Sequence, residues 1–202
     1  MVRGTFVALE GLDGSGTSTQ ASALATALRS RGHTVLQTNQ PSPGFLGVEV
    51  RALLKRKDPP ADPHMLALLF AADRLDHVRE TIEPALERGE VVLCDRYVMS
   101  SWVYQSLSCD PAWVESINAQ APWPDVTLML EIEAAEATRR VHARTPEHER
   151  EVFETEAIQR RVEAHYLAAL QRDLPGVRRF DGTQPIGIVT EALLAALTDA
   201  GL

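Results

Sequence analysis

The sequence predicts an α/β domain built on a parallel sheet with helices on both faces. Three observations predict it. Short apolar runs alternate with segments of helical periodicity, the first run passes straight into a glycine-rich turn, and polar clusters follow the first and third runs. A strand–helix alternation gives parallel neighbours, because each strand must be reached by a crossover. Such sheets bind ligands beyond the carboxyl ends of their strands, where those two polar clusters fall.

Each element has its own signal. Thr5 to Leu9 is a short apolar run ending at glycines, which marks a buried strand. Thr19 to Arg31 carries Ala21, Leu24, Ala25 and Leu28 at the spacing of one helix face, and Gly32 closes it. His33 to Thr38 is the second strand, and Phe45 to Lys55 a short helix after a Pro/Gly loop. His64 to Arg88 is a long helical pattern whose register shifts near Pro84, since proline lacks the N–H that a helix interior needs. Glu90 to Cys94 is the third strand, with Asp95 at its end, and Tyr97 to Leu107 is the helix after it. Val126 to Ile132 is the fourth strand. Helices at Ala134 to Arg144 and Phe153 to Leu170 flank a charged stretch interrupted by Pro146. Val177 to Phe180 is the fifth strand and Ile186 to Leu197 the last helix.

The 202 residues suit one domain spanning 1–202. A composition of 45% hydrophobic and 24% charged residues is that of a globular protein. The net charge of −8 argues against a nucleic-acid partner, which requires a basic face. No apolar run approaches the roughly 18 residues of a membrane span, and no secretory signal precedes the first strand. Cys94 and Cys109 form no framework and no CxxC pair, so they read as reduced structural thiols in a cytoplasmic protein. The six histidines show no metal-binding spacing.

The chemistry begins at Gly11-Leu12-Asp13-Gly14-Ser15-Gly16-Thr17-Ser18, followed by Thr19, which joins the first strand to the first helix. Its G-x-x-x-x-G-x-S spacing is that of a Walker A phosphate loop. The glycines let successive N–H groups turn inward onto a phosphate, and the helix N-terminus adds positive potential. The Ser18 hydroxyl is placed to ligate a magnesium ion held by the phosphates. Thr17 stands where a lysine is expected. The fold this loop implies is a P-loop NTPase, a three-layer α/β/α domain with a central five-stranded parallel sheet.

Read further, the loop resembles the start of a thymidylate kinase, and later segments agree in order. Leu68-Leu69-Phe70-Ala71-Ala72-Asp73-Arg74 resembles that family's substrate helix. Asp95-Arg96-Tyr97, with Ser100-Ser101 and Tyr104-Gln105, resembles its DRY-x-x-S-x-x-AYQ signature, with Val103 for the alanine. Pro124-Asp125, Glu131-Ile132-Glu133, Arg140 and Arg144 also fit. The departures are Thr17, Asn39-Gln40-Pro41 in place of Arg-Glu-Pro, and Glu151-Val152-Phe153-Glu154 in place of D-R-F-E.

The resemblance implies ATP and dTMP as substrates, Mg2+ as cofactor and a homodimer. Arg74 and Arg96 are the candidates for gripping the acceptor 5′-phosphate, since arginine forks suit phosphate oxygens. The alternative for Arg74 is a solvated surface arginine, although no acid lies three or four residues from it to form a helical ion pair. Asp13 is a candidate for holding the acceptor, or else a turn residue. Asp95 is a second candidate magnesium ligand, or else a partner of Arg96 or a nearby hydroxyl. Phe70 stacks on the base in this reading, and in a plain reading is core. Tyr104 excludes a ribose 2′-hydroxyl, while Ser101 or Gln105 reads the base edge. The stretch at approximately 140–153 is a lid, in which Arg144 or Arg150 takes the place of the missing lysine. The expected activity is transfer of the ATP γ-phosphate to dTMP. Two rivals are a kinase for another deoxynucleoside monophosphate and a nucleotide-binding pseudoenzyme, the latter favoured by Thr17.

Overall fold

A computed structural model describes residues 3–56, 60–145, 153 and 155–202. Its centre is a five-stranded sheet, all parallel, in the order β2-β3-β1-β4-β5. The strands are β1 Phe6–Gly11, β2 Val35–Asn39, β3 Val91–Asp95, β4 Val126–Glu131 and β5 Val177–Asp181. All five match the expected strands to within one or two residues.

Side chains alternate across the sheet, as a strand's two-residue period requires. Val7, Leu9, Leu93, Leu128 and Leu130 face one layer, made by α1 (Thr17–Ser30) and α9 (Ile186–Asp199) through Leu24, Leu28, Leu193 and Leu197. Phe6, Ala8, Val92 and Cys94 face the other layer, where Val78, Ile82, Leu86 and Tyr97 meet them. Met129 also points to that side, toward α7 (Ala134–Arg144) and α8 (Glu156–Ala169), touching the cluster of Ala137, Val162 and Tyr166. Each fully buried leucine contributes about 1.5–3 kcal/mol relative to exposure. Truncating Leu93 to alanine in the middle of β3 is the kind of change that costs about 2–5 kcal/mol.

The long pattern from His64 resolves into three pieces: α3 Pro63–His77, a wide π turn at Val78–Ile82, and α4 Glu83–Glu87. The register shift therefore falls one turn before Pro84. Glu83 donates its N–H to the Val78 carbonyl, a five-residue step that widens the helix just ahead of the proline ring. The remaining helices are α2 Phe45–Leu54 and α5 Val98–Tyr104, which continues as a 3₁₀ turn over Gln105–Leu107. An unexpected helix, α6 Pro111–Asn118, follows. Its signal was present: Asp110 caps it by accepting from the Trp113 N–H, and Pro111 occupies the first turn. Aligned registers set Gly11, Asp95 and Asn39 at one edge, the carboxyl ends of β1, β3 and β2. Among the described residues no helix is long and apolar enough to cross a membrane.

Candidate active site

The glycine-rich loop leaves β1 at Gly11 and turns back through a Ser15 N–H to Leu12 carbonyl bond of 3.0 Å. Gly14 and Gly16 hold φ of 92° and 99°, a region that side chains disfavour. At Gly14 space is short as well, because a Cβ there would lie 2.5 Å from the Ala137 carbonyl oxygen. Leu12, Ser15 and Thr17 are buried, while Ser18 and Thr19 are exposed. Gly16 caps α1 without a side-chain hydrogen bond, and the first turn contains no acid. Its N–H groups therefore keep the positive end of the helix available to an anion.

Arg96, directly after β3, is the one non-glycine among the described residues with positive φ, at 67°. That conformation is unfavourable for a long side chain and is held by the frame around it. Its backbone N–H continues the sheet by donating to the Leu9 carbonyl at 2.9 Å. Its guanidinium reaches back over the loop, with Nη1 donating to the Gly11 carbonyl at 3.0 Å and to Ser100 Oγ at 3.2 Å. Nη2 pairs with Asp13 Oδ1 at 2.5 Å. Burial alone pulls Arg96 down, but Tyr104 and Asp13 outweigh it and hold the group well above its ordinary range. Beneath this pair, buried Glu10 accepts from the Tyr97 N–H at 2.9 Å and from the Tyr166 hydroxyl at 3.0 Å, and it also takes the Ser100 hydroxyl. Glu10 thus fixes the start of α5 against β1.

Arg74 is placed elsewhere than a solvated helix face. It is 2% exposed and donates to the Tyr97 carbonyl at 3.2 Å, to Ser101 Oγ at 2.8 Å, and to Asn118 Oδ1. Every partner is neutral, and burial lowers its basicity. Its neighbours belong to α5 and α6, whereas Arg96 sits on the glycine loop. The two arginines, both expected at the acceptor phosphate, thus have different surroundings while lining one cavity.

One cavity of about 770 Å³ joins these parts, lined by Asp13, Ser18, Phe70, Arg74, Asp95, Arg96, Ser101, Tyr104 and Gln105, all expected from the sequence. Phe70 does both things weighed for it, lining the cavity while packing on the Val50, Leu54 and Leu66 cluster. Tyr104 lies with its ring under Arg96 at 5.2 Å and edge-on to Phe153 at 5.4 Å. Burial pushes its hydroxyl well above its ordinary value. Asp95 takes the Ser18 hydroxyl on Oδ2, so the expected alternative, a hydroxyl partner, is realised. Five lining residues carry buried polar atoms with no partner among the described residues: Gln40 Oε1, Arg74 Nε, Asp95 Oδ1, Gln105 Oε1 and the hydroxyl of Tyr97. Such groups are costly unless something polar meets them.

The chain matches the thymidylate kinase family model over residues 9–193. It belongs to the thymidylate kinase family. It is 38% identical to a thymidylate kinase of Thermomicrobium roseum across 96% of this chain and 94% of that one. It is 42% identical to a probable thymidylate kinase of Pyrococcus abyssi across 82% of each. A thymidylate kinase of Gluconobacter oxydans is 38% identical across 98% of this chain and 96% of that one. Of the positions that depart from the family pattern, Asn39 and Gln40 have local partners. Asn39 Nδ2 donates to the Pro41 carbonyl at 2.8 Å, and Gln40 Nε2 lies 3.3 Å from His77 Nδ1. His77 Nε2 in turn bonds Thr38 Oγ1 at 2.8 Å, and Asp73 accepts from the Ser42 N–H at 2.8 Å. The turn after β2 is thus held by amides, an imidazole and one carboxylate.

Arg144 ends α7, exposed and outside the cavity lining, and Arg150 lies outside the described residues. Arg140 pairs with Glu136 at 2.7 Å and donates to the Gly182 carbonyl at 3.0 Å. Sequence reasoning missed three contributors. Arg51 on α2 lines the cavity and donates to the Ser42 carbonyl at 3.0 Å and to that of Pro41. Its signal was its place one turn after Gly47 on the face that packs toward the Pro41 turn. Asn118 orders Arg74 from the unexpected helix, and Gln159 reaches Asp13 from α8. Neither of these two had a local signal, since both act across long sequence separations.

Proposed function

We propose that this thymidylate kinase family member transfers the γ-phosphate of ATP to dTMP, giving ADP and dTDP. The observation that carries this reading is the joining of the phosphate loop to a cavity of about 770 Å³ whose lining holds unpaired donors and acceptors. The loop backbone and the α1 N-terminus hold the ATP phosphates. Arg96 and Arg51 are the cations at the acceptor phosphate. Arg74, with Ser101 and Gln105, reads the base edge, and Phe70 stacks on its face. A base-reading site of this kind discriminates strongly, because a wrong base leaves buried partners unpaired.

The donor set also fits a magnesium ion. Ser18 and Asp95 stand together at the loop, and the partnerless Asp95 Oδ1 is a hard oxygen suited to it, directly or through water. Bound there with ATP, magnesium neutralises charge on the β- and γ-phosphates.

Thr17 removes a charge whose loss elsewhere costs about 10²–10³ in rate. Arg144 or Arg150 supplies the replacement when nucleotide is bound. The protein works in the cytoplasm as a homodimer. Exposed Met65, Leu68 and Leu75 on α3, with Phe45 and Val48 on α2, support an apolar interface there.

The test is ADP release from ATP and magnesium with each nucleoside monophosphate in turn, beside a Thr17→Lys variant. Turnover selective for dTMP in the unmodified protein is expected. Binding of ATP and dTMP without turnover, restored by Thr17→Lys, overturns the claim that the lysine is replaced.

A further inference from the structure

Helix α8 enters the site through a residue that the reading above leaves unused. Gln159 is fully buried, and its amide nitrogen donates to Asp13 Oδ2 at 3.0 Å and to the Phe153 carbonyl at 2.8 Å. Both acceptors are oxygens, so the amide has one workable orientation. Flipped, it would set its own oxygen against a carboxylate and a carbonyl. Asp13 is therefore divided between two partners, Oδ1 on Arg96 and Oδ2 on Gln159.

The division has a chemical consequence. A carboxylate with both oxygens available prefers a two-pronged pair with a guanidinium. With Oδ2 turned to Gln159, Asp13 meets Arg96 through Oδ1, and Nη1 of Arg96 keeps its bonds to the Gly11 carbonyl and Ser100. Gln159 touches the other support of Arg96 as well. It holds the Phe153 backbone, and the Phe153 ring packs edge-on against Tyr104, over whose ring Arg96 lies.

We infer that Gln159 is a positioning residue for phosphoryl transfer: by holding Asp13 Oδ2 it fixes the carboxylate so that Oδ1 alone meets Arg96, and this keeps the Arg96 guanidinium directed at the acceptor phosphate. The inference rests on the kinase reading above. Gln159 touches no reacting atom in it; it acts through Asp13, with the Phe153–Tyr104 contact as a second support of Arg96.

Single-turnover and steady-state kinetics of the full chain test it, using Gln159→Leu, Asp13→Ala and the double variant. Gln159→Leu lowers kcat roughly ten- to a hundred-fold, the size of effect that a misplaced catalytic group gives. The KM for ATP stays unchanged. In the Asp13→Ala background the same substitution costs clearly less, because its main target is gone. Gln159→Glu keeps the shape and covers the case in which the leucine variant fails to fold. Only a protonated carboxyl can donate to Asp13, so its kcat falls as pH rises through that ionisation. Asp13→Ala abolishes this pH dependence. Equal losses in both Asp13 backgrounds, or a Gln159→Glu profile matching the parent, overturn the inference while leaving an active kinase. A parent without dTMP turnover overturns the kinase reading itself, and the inference with it.

Discussion

Arg74 offers the sharpest energetic test, because it is a buried cation whose hydrogen-bond partners are all neutral. Asn118→Leu removes the Asn118 acceptor and leaves two, the Tyr97 carbonyl and Ser101. A hydrogen bond to a charged group is worth about 1.5–3 kcal/mol, and the leucine also denies water access to the vacated N–H. The lost Asn118 Nδ2 bond to the Val114 carbonyl at 2.8 Å adds little, since that oxygen also serves α6. A destabilisation of about 2–3 kcal/mol follows. At about 2–4 °C per kcal/mol for a chain of this size, the melting temperature falls by about 4–12 °C. Urea denaturation of the unmodified protein, Asn118→Leu, Arg74→Met and the double variant closes a cycle. Once the charge is removed, its missing partner no longer matters, so the double variant should recover at least about 1 kcal/mol relative to additivity. Strict additivity would falsify the claim that Asn118 satisfies the Arg74 charge.

Three other outcomes are expected. Gly14→Ala must place a Cβ 2.5 Å from the Ala137 oxygen at a φ of 92°, whereas Gly16→Ala meets open space at 99°. The first should cost more than the roughly 1–2 kcal/mol left-handed penalty and weaken ATP binding, and the second only about that penalty, by calorimetry and nucleotide titration. Asp95→Asn should raise the magnesium concentration needed for half-maximal activity, and an unchanged magnesium dependence would remove Asp95 from the metal site. His77 has its basicity lowered by burial, partly offset by Asp73. The unfolded chain therefore takes up that proton first, so stability present at neutral pH is lost as pH drops below about 6.5. His77→Gln should flatten that slope in urea midpoints taken across the range.

Five strands, their parallel arrangement and the phosphate loop were legible in the sequence, whereas the order β2-β3-β1-β4-β5 was not. They depend on local matters: an apolar run of strand length, a helical repeat such as Ala21, Leu24 and Leu28, and glycines where the chain must turn inward. The ordered motifs from Gly11 to Gln105 likewise predicted nine residues that line one cavity. Tertiary structure alone decided how those residues are shared out. Arg74 and Arg96 look alike in sequence, yet one is sunk against Asn118 and Ser101 while the other bridges Gly11 and Asp13. Gln159 meets Asp13 across 146 residues, and Asn118 meets Arg74 across 44. A hydrogen bond needs its partners within about 3 Å, and only the folded sheet, by bringing the carboxyl ends of its strands to one edge and laying α6 and α8 beside them, sets that distance.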